Sequence, residues 1–335
     1  MPESPLWITE ADVVSVVHMR DAIRALEAGL RAEARGAASN MTKTHVEWSS
    51  ASATGGHSTL HAIGAAFPGD GFVGTKTWAH TEGGATPLLV LFDSANGSLK
   101  AVVEAFALGQ LRTGAASGVA TDLLAAQNAD ELAIVGTGKQ SITQVAAVAA
   151  VRRLKCVRVC GRDAGRRAQA AARVRDELGL DAIEAGSVAD AVRDAPIVTL
   201  VTRARSPFLE AAMLARGAHI NAVGAITPGG AEVAADVLPR CGQVVVDSVS
   251  QAQRLSSELI GYFGAPGASW DRVRSLASVV AAATGRSGSD DLTLFKSLGM
   301  GISDLSLGIE VYRRAVAAGL GRAFAHPRKV APRLR

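Results

Sequence analysis

The chain has little of several things, and each shortage excludes a class of protein. Aromatic residues supply only 4% of its 335 residues, so Ala, Val and Leu must do most of the packing. Its three cysteines are Cys156, Cys160 and Cys241. The first two stand four apart with no matching pair downstream, which is not a zinc spacing, and no metal site is expected. Reduced, buried thiols in a cytoplasmic protein fit so sparse and odd a set. No stretch of 18 or more uninterrupted apolar residues is present, which argues against a membrane span. The opening MPESPLWITEADVV has no basic segment leading into an apolar core, so no secretory signal is expected. Charge of one sign is not in excess either. The formal net charge is +4, and Arg and Lys are scattered without interleaved aromatics. The most basic run, HPRKVAPRLR, reads as a solvated end, and nucleic acid is not an expected partner.

What is present suffices for buried cores, with 48% apolar and 20% charged residues. The length suggests about two domains. ITEADVVSVVHMRDAIRALEAGLRAEARG reads as helix, with Thr9 and Asp12 as a capping box and Gly36 as a stop. Short β-rich runs follow: GFVGTKTW, PLLVLFDS and SLKAVVEAF, the last two flanking the hairpin signal Asn96-Gly97. Residues 106–127 return to helix. From about 131, strands are expected at 132–135, 156–160, 196–201, 218–223 and 243–247. Ala- and Arg-rich helices separate them, which argues a parallel sheet with crossovers. Residues 291–321 read as one long amphipathic helix. The segment 48–58, WSSASATGGHS, reads as either a lid or a plain loop.

In IVGTGKQS, Gly136 and Gly138 form the first two positions of a dinucleotide fingerprint, with Ser141 as a small third residue. The first permits a tight turn, and the second lets backbone approach a pyrophosphate at the next helix's N-terminus. At the second strand's end, GRDAGRR offers Arg162, Arg166 and Arg167. Arginine forks suit a 2′-phosphate, so NADP(H) is favoured. Asp163 could instead accept ribose hydroxyls, which keeps NAD(H) as the alternative, or it could simply cap the helix. Lys76 sits inside an apolar strand, where desolvation should lower its pKa and suit it to proton transfer; snorkelling at a strand edge is the bland alternative. Arg112, followed by Thr113, could clamp a carboxylate or form a helix-surface ion pair. Lys43 and His61 are weaker candidates. Lys296, Ser297 and Asp304 follow in FKSLGMGISD, where a helix cap and a core-edge ion pair are the bland readings of the last two.

Taken in order, GTKTW, LRTGAASG, LAIVGTGKQ, GAHINAVGA, VVVDS and TLFKSLGMGISD resemble the ornithine cyclodeaminase and mu-crystallin family over about residues 8–320. The resemblance implies a Rossmann-type doubly wound parallel sheet domain (126–304) inserted into a smaller α+β substrate-binding and dimerisation domain (1–125 and 305–335). It implies that Lys76 is catalytic, that Arg112 holds the substrate carboxylate, and that Lys43 replaces a second carboxylate-binding arginine. Gly136, Thr137, Gly138, Lys139 and Gln140 match the pyrophosphate turn, and Arg162 matches an NADPH-selecting arginine. Thr202, Val223 and Gly224 would pass the cofactor, with Lys296, Ser297 and Gly299 near the nicotinamide, and Thr113 would also bind the cofactor. One departure matters. Cyclodeaminases carry an aspartate where this chain has Ile226, and isoleucine cannot handle an amine proton. The expectation is therefore an NAD(P)H-dependent reductase of imino or ketimine carboxylates giving L-amino acids, acting as a homodimer. An amino-acid dehydrogenase or cyclodeaminase, and an NADPH-binding protein without turnover, are the alternatives.

Overall fold

The computed structural model describes residues 4–49 and 57–335. The chain runs through β1 (Leu6–Ile8), α1 (Glu10–Val16), α2 (Met19–Ala34), β2 (Ser39–Asn40), β3 (Thr44–Ser49), β4 (His57–Phe67), β5 (Phe72–Thr81), β6 (Gly84–Ala85), β7 (Leu88–Asp93), β8 (Leu99–Glu104) and α3 (Phe106–Leu124). A second series follows: β9 (Glu131–Val135), α4 (Ser141–Val151), β10 (Cys156–Cys160), α5 (Ala164–Leu178), β11 (Ala182–Ala185), α6 (Val188–Val192), β12 (Ile197–Leu200) and β13 (His219–Ala222). It continues with β14 (Cys241–Val246), α7 (Val249–Leu255), α8 (Ser257–Phe263), β15 (Val273–Ser275), α9 (Leu276–Ala282) and β16 (Leu292–Lys296). Helix α10 (Gly301–Ala317) and β17 (Arg322–Ala323) close the chain.

The strands form two sheets. The first has the order β17-β1-β8-β7-β5-β4-β2, with β3 on β4 and β6 on β5. The second is wholly parallel, in the order β11-β10-β9-β12-β13-β16-β14-β15. Its strand order reverses between β9 and β12, the place where doubly wound sheets open a crevice at their carboxyl edge. The Rossmann-type sheet joined to a separate mixed sheet is thus as the sequence implied.

Three expectations need correction. The first helix is two, because His18 is extended and its N–H donates to Asp21, starting a new cap at Met19. The long C-terminal helix starts only at Gly301. Residues Leu292–Lys296 form a fully buried strand between β13 and β14, and a strand covered on both faces shows no alternation to distinguish it from a buried helix. Strands β3, β4, β11 and β15 were not anticipated, since glycine and alanine dilute the alternation in HSTLHAIGAAF. Of the segment 48–58, residues 50–56 lie outside those described; Trp48 and Ser49 end β3, and His57 and Ser58 open β4. The Thr9–Asp12 capping box and the hairpin around Asn96-Gly97 are as expected.

Two features aim the site. Helix α10 starts in direct contact with β4: a Cβ on Gly301 would lie 1.8 Å from the Gly64 carbonyl oxygen, so only glycine allows this approach. One turn later the helix carries Asp304 up to β5. Helix α3 joins the two sheets. Asn221 of β13 donates to Thr121 Oγ1 (2.9 Å), Thr293 of β16 donates to the Leu124 carbonyl (2.8 Å), and Arg152 caps the helix end through the carbonyls of Thr121 and Asp122 within it and of Ala125 and Ala126 just beyond. Whatever α3 presents is therefore fixed relative to the parallel sheet's edge.

Candidate active site

The turn after β9 has the geometry a pyrophosphate needs. Gly136 has φ of 120°, and a Cβ there would meet the Val201 carbonyl oxygen at 2.6 Å. Its N–H donates to the Cys160 carbonyl, which joins it to the end of β10. A Cβ on Gly138 would meet nothing within 4 Å, so the backbone there is open to a ligand. Helix α4 begins three residues later, its N-terminal amides facing the same turn. Thr137 packs on Gly161, Lys139 lies over the Phe106 ring, and the Gln140 amide oxygen accepts from Thr143. The cradle fits a dinucleotide. Gly136→Ala should introduce about 1–3 kcal/mol of backbone strain, a roughly 5- to 150-fold loss of cofactor affinity. Fluorescence titration with NADH and NADPH measures it, and wild-type affinity would contradict the assignment.

Beyond β10, Arg162 and Arg166 are exposed. Arg167 is occupied, pairing with Glu184 at 3.0 Å and donating to the Gly161 carbonyl. Asp163 caps α5 by accepting the Arg166 N–H.

At the carboxyl edge of the parallel sheet, a carboxylate that sequence reasoning missed organises two strand ends. Glu232, fully buried, accepts from Thr202 N–H and hydroxyl with one oxygen and from Gly224 and Ala225 N–H with the other. Glu258 in turn accepts from the Glu232 and Val233 amides and pairs with Lys296 at 2.6 Å. Lys296 is thus beneath the edge, 1% exposed, and acts on the turns rather than projecting from them. Val223 is buried beside Gly224. Ser297 and the amides of Leu298 and Gly299 all donate to Asp247 Oδ2. Burial raises the pKa of Asp247, and these donors oppose the rise. Asp247 stands in VVVDS, but its partners lie some 50 residues on, out of reach of motif reading.

Facing this edge is the inner side of the first sheet. Strand β5 alternates, sending Phe72, Gly74 and Lys76 inward. Lys76 is 4% exposed, its ammonium 2.5 Å from Asp304 Oδ1 and 5.0 Å over the Trp78 ring. Arg112 of α3 brings Nε to 3.1 Å from the same oxygen, in a contact of charges rather than an aligned hydrogen bond. Its terminal nitrogens point toward Gly299, 3.4 and 3.8 Å from where a Cβ there would stand. Thr113 turns its hydroxyl back to the Gly109 carbonyl. Lys43 precedes β3, and its carbonyl accepts a long bond from Arg254 of α7 across the cleft.

The electrostatics follow from burial and crowding of cations. Desolvation, then Arg112, pushes Lys76 down to about 8, while Asp304 holds it up. Lys43 is lowered by burial and by Arg112. His61 is stacked between His45 and Trp78, and burial with Lys43 nearby takes it down to about 4. It is therefore a neutral hydrogen-bonding group at physiological pH, not a second cation. Buried polar atoms without a partner gather here among the described residues: Glu33 Oε2, His61 Nδ1, Asp247 Oδ1, Gln251 Oε1 and Asp304 Oδ2. Such orphans are costly unless a ligand or water meets them. Ile226, in the turn after β13, is 41% exposed and adds no charge.

Comparison with known proteins gives the family and the fold. The profile of the ornithine cyclodeaminase/mu-crystallin family matches residues 4–319. A Delta(1)-pyrroline-2-carboxylate reductase of Bacillus cereus (strain ZK / E33L) is 31% identical over 240 residues, covering 70% of this chain and 72% of the relative. Ketimine reductase mu-crystallin of Mus musculus is 34% identical over 224 residues, covering 67% and 68%. An archaeal alanine dehydrogenase dimer with bound NAD superposes with a TM-score of 0.86 at 26% identity, covering 96% of this chain and 99% of its own. The chain belongs to the ornithine cyclodeaminase/mu-crystallin family, and it is an oxidoreductase of that family.

Proposed function

We propose that this protein is a nicotinamide-dependent reductase of 2-imino or cyclic ketimine carboxylates that yields L-amino acids. The observation that supports it most is the grouping of Lys76, Arg112 and Lys43 opposite a carboxyl edge that carries Ile226 in place of an acid. Two named relatives, the pyrroline carboxylate reductase and the ketimine reductase, act on substrates of this kind.

The Gly136–Gly138 turn would hold the pyrophosphate of a reduced nicotinamide dinucleotide, and that cofactor, when bound, would supply the hydride for the imine carbon. The protein does the rest. Arg112's terminal nitrogens and Lys43 bind the carboxylate, and that clamp sets which face of the C=N bond is presented. Lys76 in its ammonium form donates a proton to the imine nitrogen as the C–H bond forms, then regains one from water. Lys76 is 4% exposed, with the Trp78 ring 5.0 Å from its ammonium, and this low exposure strengthens its field. NADP(H) is the favoured cofactor, since Arg162 and Arg166 stay available at the ribose end while Arg167 and Asp163 are already engaged.

The protein acts as a homodimer in this reading. Val46 and Leu60 pair across β3 and β4 with exposures of 57% and 45%, and Trp48 on the same face is 42% exposed. Such an apolar sheet face suits a second copy of the chain, and light scattering should give twice the chain mass.

The experiment is a panel of cyclic and acyclic imino carboxylates assayed by oxidation of NADPH and NADH. Oxidation with at least one cyclic ketimine, and preference for NADPH, is expected. Turnover of alanine or ornithine with no imine reduced would overturn the reading.

A further inference from the structure

Asp304 is fully buried in α10, yet nothing in the packing of that helix calls for a charge there. Ile302, Leu305 and Ile309 already anchor it, and Gly301 rests on β4. A buried carboxylate with one unpartnered oxygen costs stability that an apolar residue would not. Its other oxygen meets both Lys76 and Arg112. The groups facing Lys76 are Arg112 from α3, Lys43 ahead of β3, Asp304 from α10, the Trp78 ring on its own strand, and the neutral His61 stacked behind that ring. The cations outnumber the acid, and among the described residues Asp304 is the one carboxylate within ion-pairing distance of Lys76.

We propose that Asp304 is a positioning residue: its shared oxygen keeps Lys76 in the ammonium form and turns Arg112 so that both terminal nitrogens remain free for the substrate carboxylate. Asp304 itself neither touches substrate nor exchanges a proton. Occupying Arg112 through Nε is what leaves the outer edge of the guanidinium open toward Gly299. Holding the ammonium against two neighbouring cations is what keeps a proton available above neutral pH. The consequence for turnover rests on the reductase reading, whereas the pairing can be measured without it.

The chain has seven lysines, so selective 13C labelling at Cε gives a spectrum in which each signal can be followed. The Lys76 resonance is assigned by its loss in Lys76→Met. Its titration midpoint should be about 8 in the wild type. Asp304→Asn and Asp304→Ser both remove the charge, so one can fail to fold without ending the test. Each should lower the midpoint by about one pH unit or more, a tenfold change in proton affinity, and Asp304→Glu should restore most of it. An unchanged midpoint in either charge-removing variant overturns the proposal. In imine turnover, the alkaline limb of kcat/KM should move down with the midpoint; a uniform loss at every pH with the limb fixed would mark a structural role only and also overturn it. A wild type that reduces no imine would fell the reductase reading, and the NMR titration would still judge Asp304.

Discussion

Lys76→Met should lower kcat/KM for imine reduction by about 10²- to 10⁴-fold, the usual contribution of a positioned acid, while leaving cofactor affinity unchanged. Methionine nearly matches lysine in volume and fills the space over Trp78 without a transferable proton. The dinucleotide turn lies on the other sheet and does not touch position 76. The wild type should show the same dependence through pH. Lys76 is active as the ammonium, its pKa is pushed down to about 8 by burial and Arg112, and activity should therefore fall as pH rises through that value. Below it the ammonium persists, so no loss from this group is expected toward neutrality. A methionine variant within tenfold of wild type would remove Lys76 from the proton step.

Arg112→Leu should have the second largest effect, and a different kinetic form. Truncating one partner of a hydrogen-bonded charge pair costs about 2–5 kcal/mol, which converts to roughly 30- to 5,000-fold. The carboxylate is bound alike in ground and transition states, so most of the loss should appear in KM. Arg112→Lys should recover only part, because a point charge cannot reproduce the fork. Lys43, the other cation at this place, is insufficient alone in this account. Steady-state kinetics with varied imine concentration decides it: an unchanged KM in Arg112→Leu would mean that the carboxylate lies elsewhere.

Much of this arrangement was legible in the sequence, for reasons that differ by residue. Gly136 and Gly138 stood out because they follow a short apolar run and open a helix, a local pattern with local causes. Lys76 stood out as a charge in an apolar strand, and its burial and lowered pKa are as the residue pattern suggested. The bonds that hold the site in shape could not be read. Asp304 and Lys76 are 228 residues apart, and each has an ordinary explanation alone. Glu232 lies in the unremarked stretch GGAEV, and only the fold brings four donors to it. Strand β16 was hidden for a related reason: a segment buried on both faces carries no periodic signature. Sequence reading singled out Lys76, Arg112 and Asp304 one by one; it did not pair Asp304 with the two cations, and it passed over Glu232 and Glu258 altogether.

The central claim is that Lys76 and Arg112 grip one carboxylate substrate beneath the nicotinamide. The most direct measurement is a crystal structure with oxidised cofactor and pyrrole-2-carboxylate, a planar analogue that cannot be reduced. The account predicts the carboxylate on Arg112's two terminal nitrogens, the ring nitrogen within about 3.2 Å of the Lys76 ammonium, and the adjacent ring carbon about 3–3.5 Å from the nicotinamide C4. A carboxylate seated away from Arg112, or a Lys76 ammonium turned from the ring nitrogen toward Asp304 alone, would contradict it.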